Sequence, residues 1–454
     1  MECERTIRNV VVIGAGLGGL SAAALLARAG HRVRLLERAR EPGGHARSQQ
    51  EDGFVFNLGA HALYRGGVAM QVLAQLGIVP SAWRVTGEGS YVVSGGQLRA
   101  LPYDALSMWR SDALDFKGKL QFASALIGLG ERKARALQGS SVRQWLDAQA
   151  QHPGARALLE AFVRLATYSN APELVPADGA VRQLGSAITR GVMYVDGGWQ
   201  ALCDALAACA RASGVQLELD CGVERIEASS GAVRGVVARD GRRIEADAVV
   251  AAVDPRALAG LLPDDPRART WAGAAVPLRA ACLDLGVDRL PHPERFACIS
   301  TDAPLYYANH SKFARLAPEG SSVLQLVRYL GPGEDGRAAE PELRDFLERI
   351  QPGVYARSRV KRFLPNLIVH NDVPGAARAR AQHPDLRGLH LVGDYASGRG
   401  MLTDAVFDSA RAAAERIAAQ AGAERANAAH RSAPPRRARP MAEAPQSAHT
   451  GPRA

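Results

Sequence analysis

The stretch Val10 to Arg38, VVVIGAGLGGLSAAALLARAGHRVRLLER, constrains the fold more than any other part of the chain. Val10 to Ile13 is a short apolar run with the length of one buried parallel strand. Gly14, Gly16 and Gly19 follow in a G-x-G-x-x-G frame, with Leu17 and Gly18 inside it. A small-residue helix is predicted from about Leu17 to Ala29, ended by Gly30. A second strand, Arg32 to Leu36, leads into Glu37 and Arg38. Each position has a physical task. Gly14 permits a tight strand-to-helix turn, Gly16 lets a pyrophosphate approach the backbone, and Gly19 lets the helix pack closely on the strand. The phosphates of a dinucleotide then sit at the helix N-terminus, where free N–H groups and the helix dipole favour negative charge. Glu37 ends the second strand, where a carboxylate accepts hydrogen bonds from ribose hydroxyls.

An Ala/Gly-rich core helix would share the glycines. It gives no reason for strand, helix, second strand and acid to fall in register. A signal peptide is excluded because glycines interrupt the apolar run and a polar strand follows at once.

The 454 residues are 47% hydrophobic, enough for two or three domains with a sizeable core. No stretch approaches the roughly 18 continuous apolar residues of a membrane-crossing helix. The six cysteines form no C-x-x-C pair and read as reduced thiols of a cytoplasmic protein. The net charge of +10 does not make nucleic acid an expected partner, because the chain carries no dense basic cluster and no aromatic–basic interleaving.

Beyond Glu37 come Glu41-Pro42-Gly43-Gly44-His45 and then Gly53-Phe54 to Leu58-Gly59-Ala60-His61. Alone, this part also reads as an ordinary hairpin. Helices are predicted over Val68 to Leu76, Leu106 to Leu129 and Ser141 to Tyr168, with a hairpin over Tyr91 to Leu101. The apolar run Leu120 to Leu129 is expected to be buried or to line a greasy pocket, with shallow membrane contact as the alternative. A second informative block is Val195-Asp196-Gly197-Gly198-Trp199, followed by a helix to Ser213, a strand at Val215 to Leu219, another from Gly222-Val223, a hairpin around Asp240-Gly241 and a buried strand Ala248 to Val253. Strands are also expected at Val276 to Gly286 and Ser322 to Leu330, and a helix at Pro341 to Arg349. A third block runs from Gly388 through Gly393-Asp394-Tyr395 to Thr403-Asp404-Ala405, where a closing helix starts and continues to about Ala419.

These blocks together resemble the flavin-dependent amine oxidase and phytoene desaturase superfamily over about residues 8 to 420. The ending Ala-Asp-Ala-Val-Val-Ala-Ala-Val-Asp254-Pro255 is closer to the phytoene desaturase branch. The resemblance implies an α/β fold: a Rossmann-like, glutathione reductase-type FAD domain interleaved with an α+β substrate domain. The FAD parts would be 1–62, 196–256 and 387–420, and the substrate parts 63–195 and 257–386. The Ala/Pro/Arg-rich segment 421–454 is expected to be a disordered tail.

The resemblance also implies site roles. Gly43 and Gly44 would run beside the flavin and its phosphates. The arginine that usually follows them is His45 here, with Arg47 as a substitute. Gly59, Ala60 and His61 join the cofactor set, and Val223 would contact the adenine through its backbone. Gly393 and Asp394 would bond the ribityl or phosphate part of FAD. The helix N-terminus at Thr403, Asp404 and Ala405 would face the flavin pyrimidine oxygen, where its dipole favours the charge of the reduced ring. His61, Tyr64, Tyr168, Trp199, His310 and Tyr395 are candidate pocket residues. No general base is singled out and no metal is expected. No cysteine lies beyond Cys298, so a covalent Cys–flavin link near the last motif is not expected.

The function implied is an FAD-dependent oxidoreductase that removes a hydride and a proton from a hydrophobic, isoprenoid-type small molecule. An FAD amine oxidase and a non-catalytic nucleotide-binding scaffold are the alternatives. A nicotinamide-only dehydrogenase would leave Gly393-Asp394 and the closing helix without a use.

Overall fold

The computed structural model describes residues 7–372, 382–397 and 400–432. Strand β1 (Asn9–Ile13) is followed by helix α1 (Leu17–Arg28) and strand β2 (Arg32–Leu36). The chain returns beside them as β3 (Gln216–Glu218), β4 (Ala248–Ala251) and β5 (Leu389–Leu391). The five form one parallel sheet in the order β3-β2-β1-β4-β5. Val10 pairs with Ala248 on one side and Val33 on the other. Both neighbours are strands, so the apolar run of β1 is buried on both faces, as parallel sheets require.

One face of this sheet carries α1, helix Trp199–Ala212 and the closing helix Leu402–Ser432, which share a core with Val10, Val12, Val33 and Leu35. The other face carries an antiparallel three-stranded meander (Val223–Ser229, Ala232–Ala238, Arg243–Glu245) and helices Pro255–Leu261 and Pro266–Ala274, packed on Val11, Ile13 and Leu36. Alternate residues of β1 therefore serve opposite layers, the period of two that an extended strand imposes.

Close packing fixes the position of α1. A Cβ at Gly19 would stand 1.9 Å from the Gly14 carbonyl oxygen, and one at Gly18 would stand 2.6 Å from Val392 Cγ1.

The segments between these returns build a second body. Its seven-stranded sheet runs in the order Val360–Asp372, Val276–Val287, Ser322–Tyr329, Leu305–Asn309, Ala297–Ser300, Ser90–Ser94, Gln97–Ala100. One face is covered by helices from residues 105–190 and the other by helix Glu340–Ile350.

Several expectations needed correction here. The helix expected over Leu106 to Leu129 is two, Ala105–Arg110 and Phe116–Leu126, because Asp115 caps a new start by accepting from the Gly118 N–H at 2.7 Å. The helix expected over Ser141 to Tyr168 is also two, Val142–Gln149 and Pro153–Thr167. Pro153 has no N–H to continue the first and suits the first turn of the second. The run Leu120 to Leu129 is not simply core. Phe122 and Ala125 are buried, whereas Leu120 and Ile127 are 66% and 73% exposed. The closing helix continues past Ala419 to Ser432, and 433–454 of the segment expected to be disordered lie outside the described residues. Helix Ala177–Arg190 and strand Val360–Asp372 carried no expectation.

Replacing Gly19 with Ala should destabilise the fold by about 1–3 kcal/mol through overpacking. Thermal unfolding of the two proteins measures this, and an unchanged midpoint would mean that α1 has room to move off β1.

Candidate cofactor and substrate cleft

A cleft of about 780 Å³ opens at the C-terminal ends of β1, β2 and β4 and runs into the space between the two bodies. That end of a parallel sheet is where helix N-termini and crossover loops converge. The turn after β1 is held by the Gly14 N–H, which donates to Leu36 O at 2.8 Å, with Gly14 at φ +96°. At Gly16 a Cβ would meet only Gly43 O, at 3.9 Å, so the backbone there is open to the cleft. The Gly43 N–H donates to Ala15 O at 2.8 Å, which stitches the second glycine loop onto the first. A Cβ at Gly44 would stand 3.4 Å from Gly16 Cα.

Glu37 supports the same turn. Its carboxylate accepts from the Ala15 N–H at 2.7 Å and the Ala39 N–H at 2.8 Å, one bond on each oxygen. Each oxygen keeps a second lone pair for an incoming hydroxyl. The acid expected to greet a ribose thus also braces the phosphate loop.

Asp394 sits just beyond β5 and lines the cleft. It accepts from the Asn371 N–H at 2.9 Å and lies 3.0 Å from His370 Nδ1. Burial pushes its carboxyl up, but His370 and the Asn371 N–H outweigh burial and hold it below the usual carboxylate value. These partners belong to strand Val360–Asp372, so Asp394 ties the parallel sheet to the second body.

The loop 58–62 forms the far wall. Gly59 O accepts from Gln325 Nε2 at 3.0 Å and lies 2.8 Å from His61 Nδ1. Beneath it Asp284 is wholly buried and paired with Arg362, whose guanidinium also donates to Asn57 O. The His61 ring lies 4.7 Å from the Trp199 ring. Trp199 is buried, and its Nε1–H has no partner among the described residues. Ala280, Cys282, Val327, Leu367 and Val369 of the seven-stranded sheet complete an apolar end, with Tyr64 and Tyr168 beside them. Tyr168 holds φ +53°. A left-handed tyrosine costs roughly 1–3 kcal/mol, and such strain concentrates at working sites.

Of the residues singled out in the sequence, all but Asp404 and Ala405 of the cofactor set line this cleft. Asp404 points the other way. Its carboxylate accepts from the Ala69 N–H at 2.9 Å and caps helix Val68–Gln75. Burial pushes its carboxyl up to about 6, opposed by the Ala69 and Val68 N–H groups. The Ala405 N–H bonds Met401 O at 3.3 Å inside the closing helix, and Leu402, Thr403 and Val406 line the cleft instead. His310 is also outside the cleft wall, stacked on Tyr194 with ring centroids 4.1 Å apart. Tyr395 lines the cleft and donates to Val253 O at 3.0 Å. The lining from the second body was missed because its residues are ordinary strand apolars. The short apolar run Leu367-Ile368-Val369 was the available signal.

The residues fit a dinucleotide flavin on the structure's own terms. An open glycine backbone lies at the N-terminus of α1, an acid with free lone pairs ends β2, and a buried indole N–H has no partner among the described residues.

The flavin-containing amine oxidoreductase family matches residues 17–418. The chain belongs to that family, and FAD is its cofactor. It is 32% identical over 310 residues to the hydroxyneurosporene desaturase of Rubrivivax gelatinosus, across 60% of this chain and 58% of that protein. The chain therefore spans little more than half the length of that relative. The hydroxyneurosporene desaturase of Cereibacter sphaeroides is 27% identical over 406 residues, 75% of this chain and 78% of that one. Among solved structures, an oxidoreductase from Methanosarcina mazei superposes with a TM-score of 0.74 at 21% identity, covering 90% of this chain and 100% of that one. That likeness confirms the α/β, Rossmann-like fold.

Two substitutions separate the two acids. Glu37→Ala should weaken FAD binding by about tenfold or more, a loss of about 1.4 kcal/mol, and flavin titration reads it. Asp404→Asn should leave FAD affinity alone. The folded Asp404 binds its proton more tightly than the usual carboxylate, so its ionisation costs stability as pH rises from about 4 to about 6. The Asn variant should therefore gain thermal stability at pH 8 and lose that advantage near pH 4. An equal difference at both pH values would contradict a buried, strained carboxylate.

Proposed function

We propose that this protein is an FAD-dependent desaturase that draws a hydride and a proton from a long apolar isoprenoid. The carrying observation is the cleft itself, which joins a dinucleotide cradle to an end walled by Ala280, Cys282, Val327 and Leu367. The desaturase names of the relatives support the same substrate class. We further propose the division in which 1–62, 196–256 and 387–420 hold the cofactor and 63–195 and 257–386 hold the substrate.

Bound FAD supplies the hydride acceptor. The chain does the rest. Gly14, Gly16, Gly43 and Gly44 cradle the phosphates at the N-terminus of α1, Glu37 takes the ribose, and Thr403 presents the start of the closing helix. Asp394, kept ionised by His370 and Asn371, holds the linker between them. The apolar strand residues exclude water and align the chain of the substrate.

We also propose a membrane-facing surface through which such a substrate enters. Helix Phe116–Leu126 is amphipathic in an unusual sense. Gly118, Phe122 and Ala125 are buried on one side. Phe116, Leu120 and Ile127 share the opposite side at 3.6 residues per turn and are 81%, 66% and 73% exposed. Trp109 adds a fourth large apolar side chain at 78% exposure, and its carbonyl is bonded by Lys119 Nζ. Arg110, Lys117 and Arg132 are exposed around them. The neighbouring acids are engaged: Asp112 with Arg99, Asp115 with His152, Glu131 with Arg182. An apolar face ringed by exposed cations suits the interface of an anionic bilayer. Among the described residues no helix is long and apolar enough to cross a membrane.

Anaerobic incubation with isoprenoid polyenes should bleach the flavin and lengthen the conjugated system of the substrate. Hydrogen peroxide release with amines and no reaction with polyenes would instead favour the amine oxidase reading. Sedimentation with phosphatidylglycerol vesicles should carry the protein down, and the pair Trp109→Ser and Phe116→Ser should leave it in the supernatant. Equal partition of both proteins would remove this face as the docking surface.

A further inference from the structure

We infer that His61 is the proton acceptor of the desaturation: its Nε2 takes the proton from the carbon next to the one that surrenders hydride. The inference rests on the desaturase reading and gives a proton-accepting role to a residue that the sequence placed only in the cofactor set and among the pocket candidates.

The tautomer follows from geometry. Nδ1 lies 2.8 Å from Gly59 O. A carbonyl oxygen only accepts, so Nδ1 carries the hydrogen and Nε2 keeps a free lone pair. The ring cannot turn easily. Trp199 lies against it at 4.7 Å, and Gly59 O is itself held by Gln325 Nε2 at 3.0 Å. The lone pair therefore has a fixed position on a cleft wall.

Elimination points to the same atom. Where loop 58–62 meets the seven-stranded sheet, the other titratable lining groups among the described residues are Tyr64, Tyr168 and Cys282. Burial raises all three above their usual values, so each holds its proton and none is a base. Asp394 already accepts from Asn371 and lies against His370. The charged or titratable groups that act on His61 are His45 and His310, both imidazoles. Burial and His45 hold the His61 ring down at about 4, with the Gly59 carbonyl opposing. A base that is never protonated near neutral pH is always available. Its weakness is no obstacle here. Loss of hydride leaves an electron-poor carbon beside the remaining C–H bond, and that makes the hydrogen strongly acidic.

The step balances. One C–H bond breaks and its electron pair leaves with hydrogen to the bound flavin, which is reduced. The adjacent C–H bond breaks, its pair becomes the new C=C bond, and the proton goes to His61 Nε2. The imidazolium then gives the proton to solvent.

Two measurements test this. The first is a nitrogen NMR titration of the histidine-labelled protein without cofactor. It should show His61 protonated on Nδ1 alone at neutral pH; hydrogen on Nε2 would overturn the proposal. The second compares wild type with His61→Ala and His61→Asn. Both variants should keep the wild-type far-UV circular dichroism spectrum and melting midpoint and still take up FAD, which verifies their folding. Flavin reduction by the polyene should slow by about 10² or more, the usual worth of a positioned base. Added imidazole should recover part of the rate in His61→Ala. Wild-type rates in both variants would overturn the role of His61 while leaving the desaturase reading intact. A wild type that no polyene reduces would overturn that reading and this role with it.

Discussion

The structure depends on one contact between two backbones. The loop after β1 and the Gly43–Gly44 loop meet at Gly16 so closely that a Cβ at Gly44 would already touch Gly16 Cα, at 3.4 Å. The Gly43 N–H closes the contact on Ala15 O. Glu37 bonds the Ala15 N–H from the far side. The result is a tightly joined backbone surface that lines the cleft where the dipole of α1 begins. The parallel sheet sets the distance between these loops, and Asp394 and the start of the closing helix line the same cleft.

The cleft is more than a dinucleotide slot because the chain leaves the parallel sheet twice to build a second body and then returns. Asp394 and strand Val360–Asp372 form the tie between the two bodies. A second tie is the wholly buried Asp284, paired with Arg362, which in turn bonds Asn57 O under loop 58–62. Burial raises Asp284 to about 6 against the pull of Arg362. Removing one partner of such a pair costs about 3–5 kcal/mol, because the remaining charge is left buried. The loop that carries His61 therefore stands on a polar foundation inside an otherwise apolar body.

The parallel half of the fold was legible in the sequence because its signals are local. A buried strand, a glycine frame, a small-residue helix and an acid occur within Val10 to Arg38, and each has one physical use. Val223, Gly393 and Asp394 line the cleft, and they too lie in short glycine-containing blocks that stand out locally. Orientation was not legible. Asp404 lies next to Thr403 in sequence, yet one turns to the cleft and the other caps helix Val68–Gln75. One helical residue corresponds to about 100° of rotation, and the register of the closing helix is set by tertiary contact. The breaks at Asp115 and Pro153 were readable from capping chemistry and were passed over for apolar continuity. The lining from Ala280, Cys282 and Leu367 carries no mark distinguishing it from core. Strands that face a cleft and strands that face a helix bury the same residue types.

The central claim is a non-covalently held FAD along this cleft, and a single absorbance experiment tests it most directly. The purified protein should show the two-band spectrum of oxidised flavin. After heat denaturation the same chromophore should appear in the supernatant, chromatographing as intact FAD. A colourless protein that takes up no added FAD would contradict the account, and a flavin that stays with the precipitate would contradict its non-covalent part.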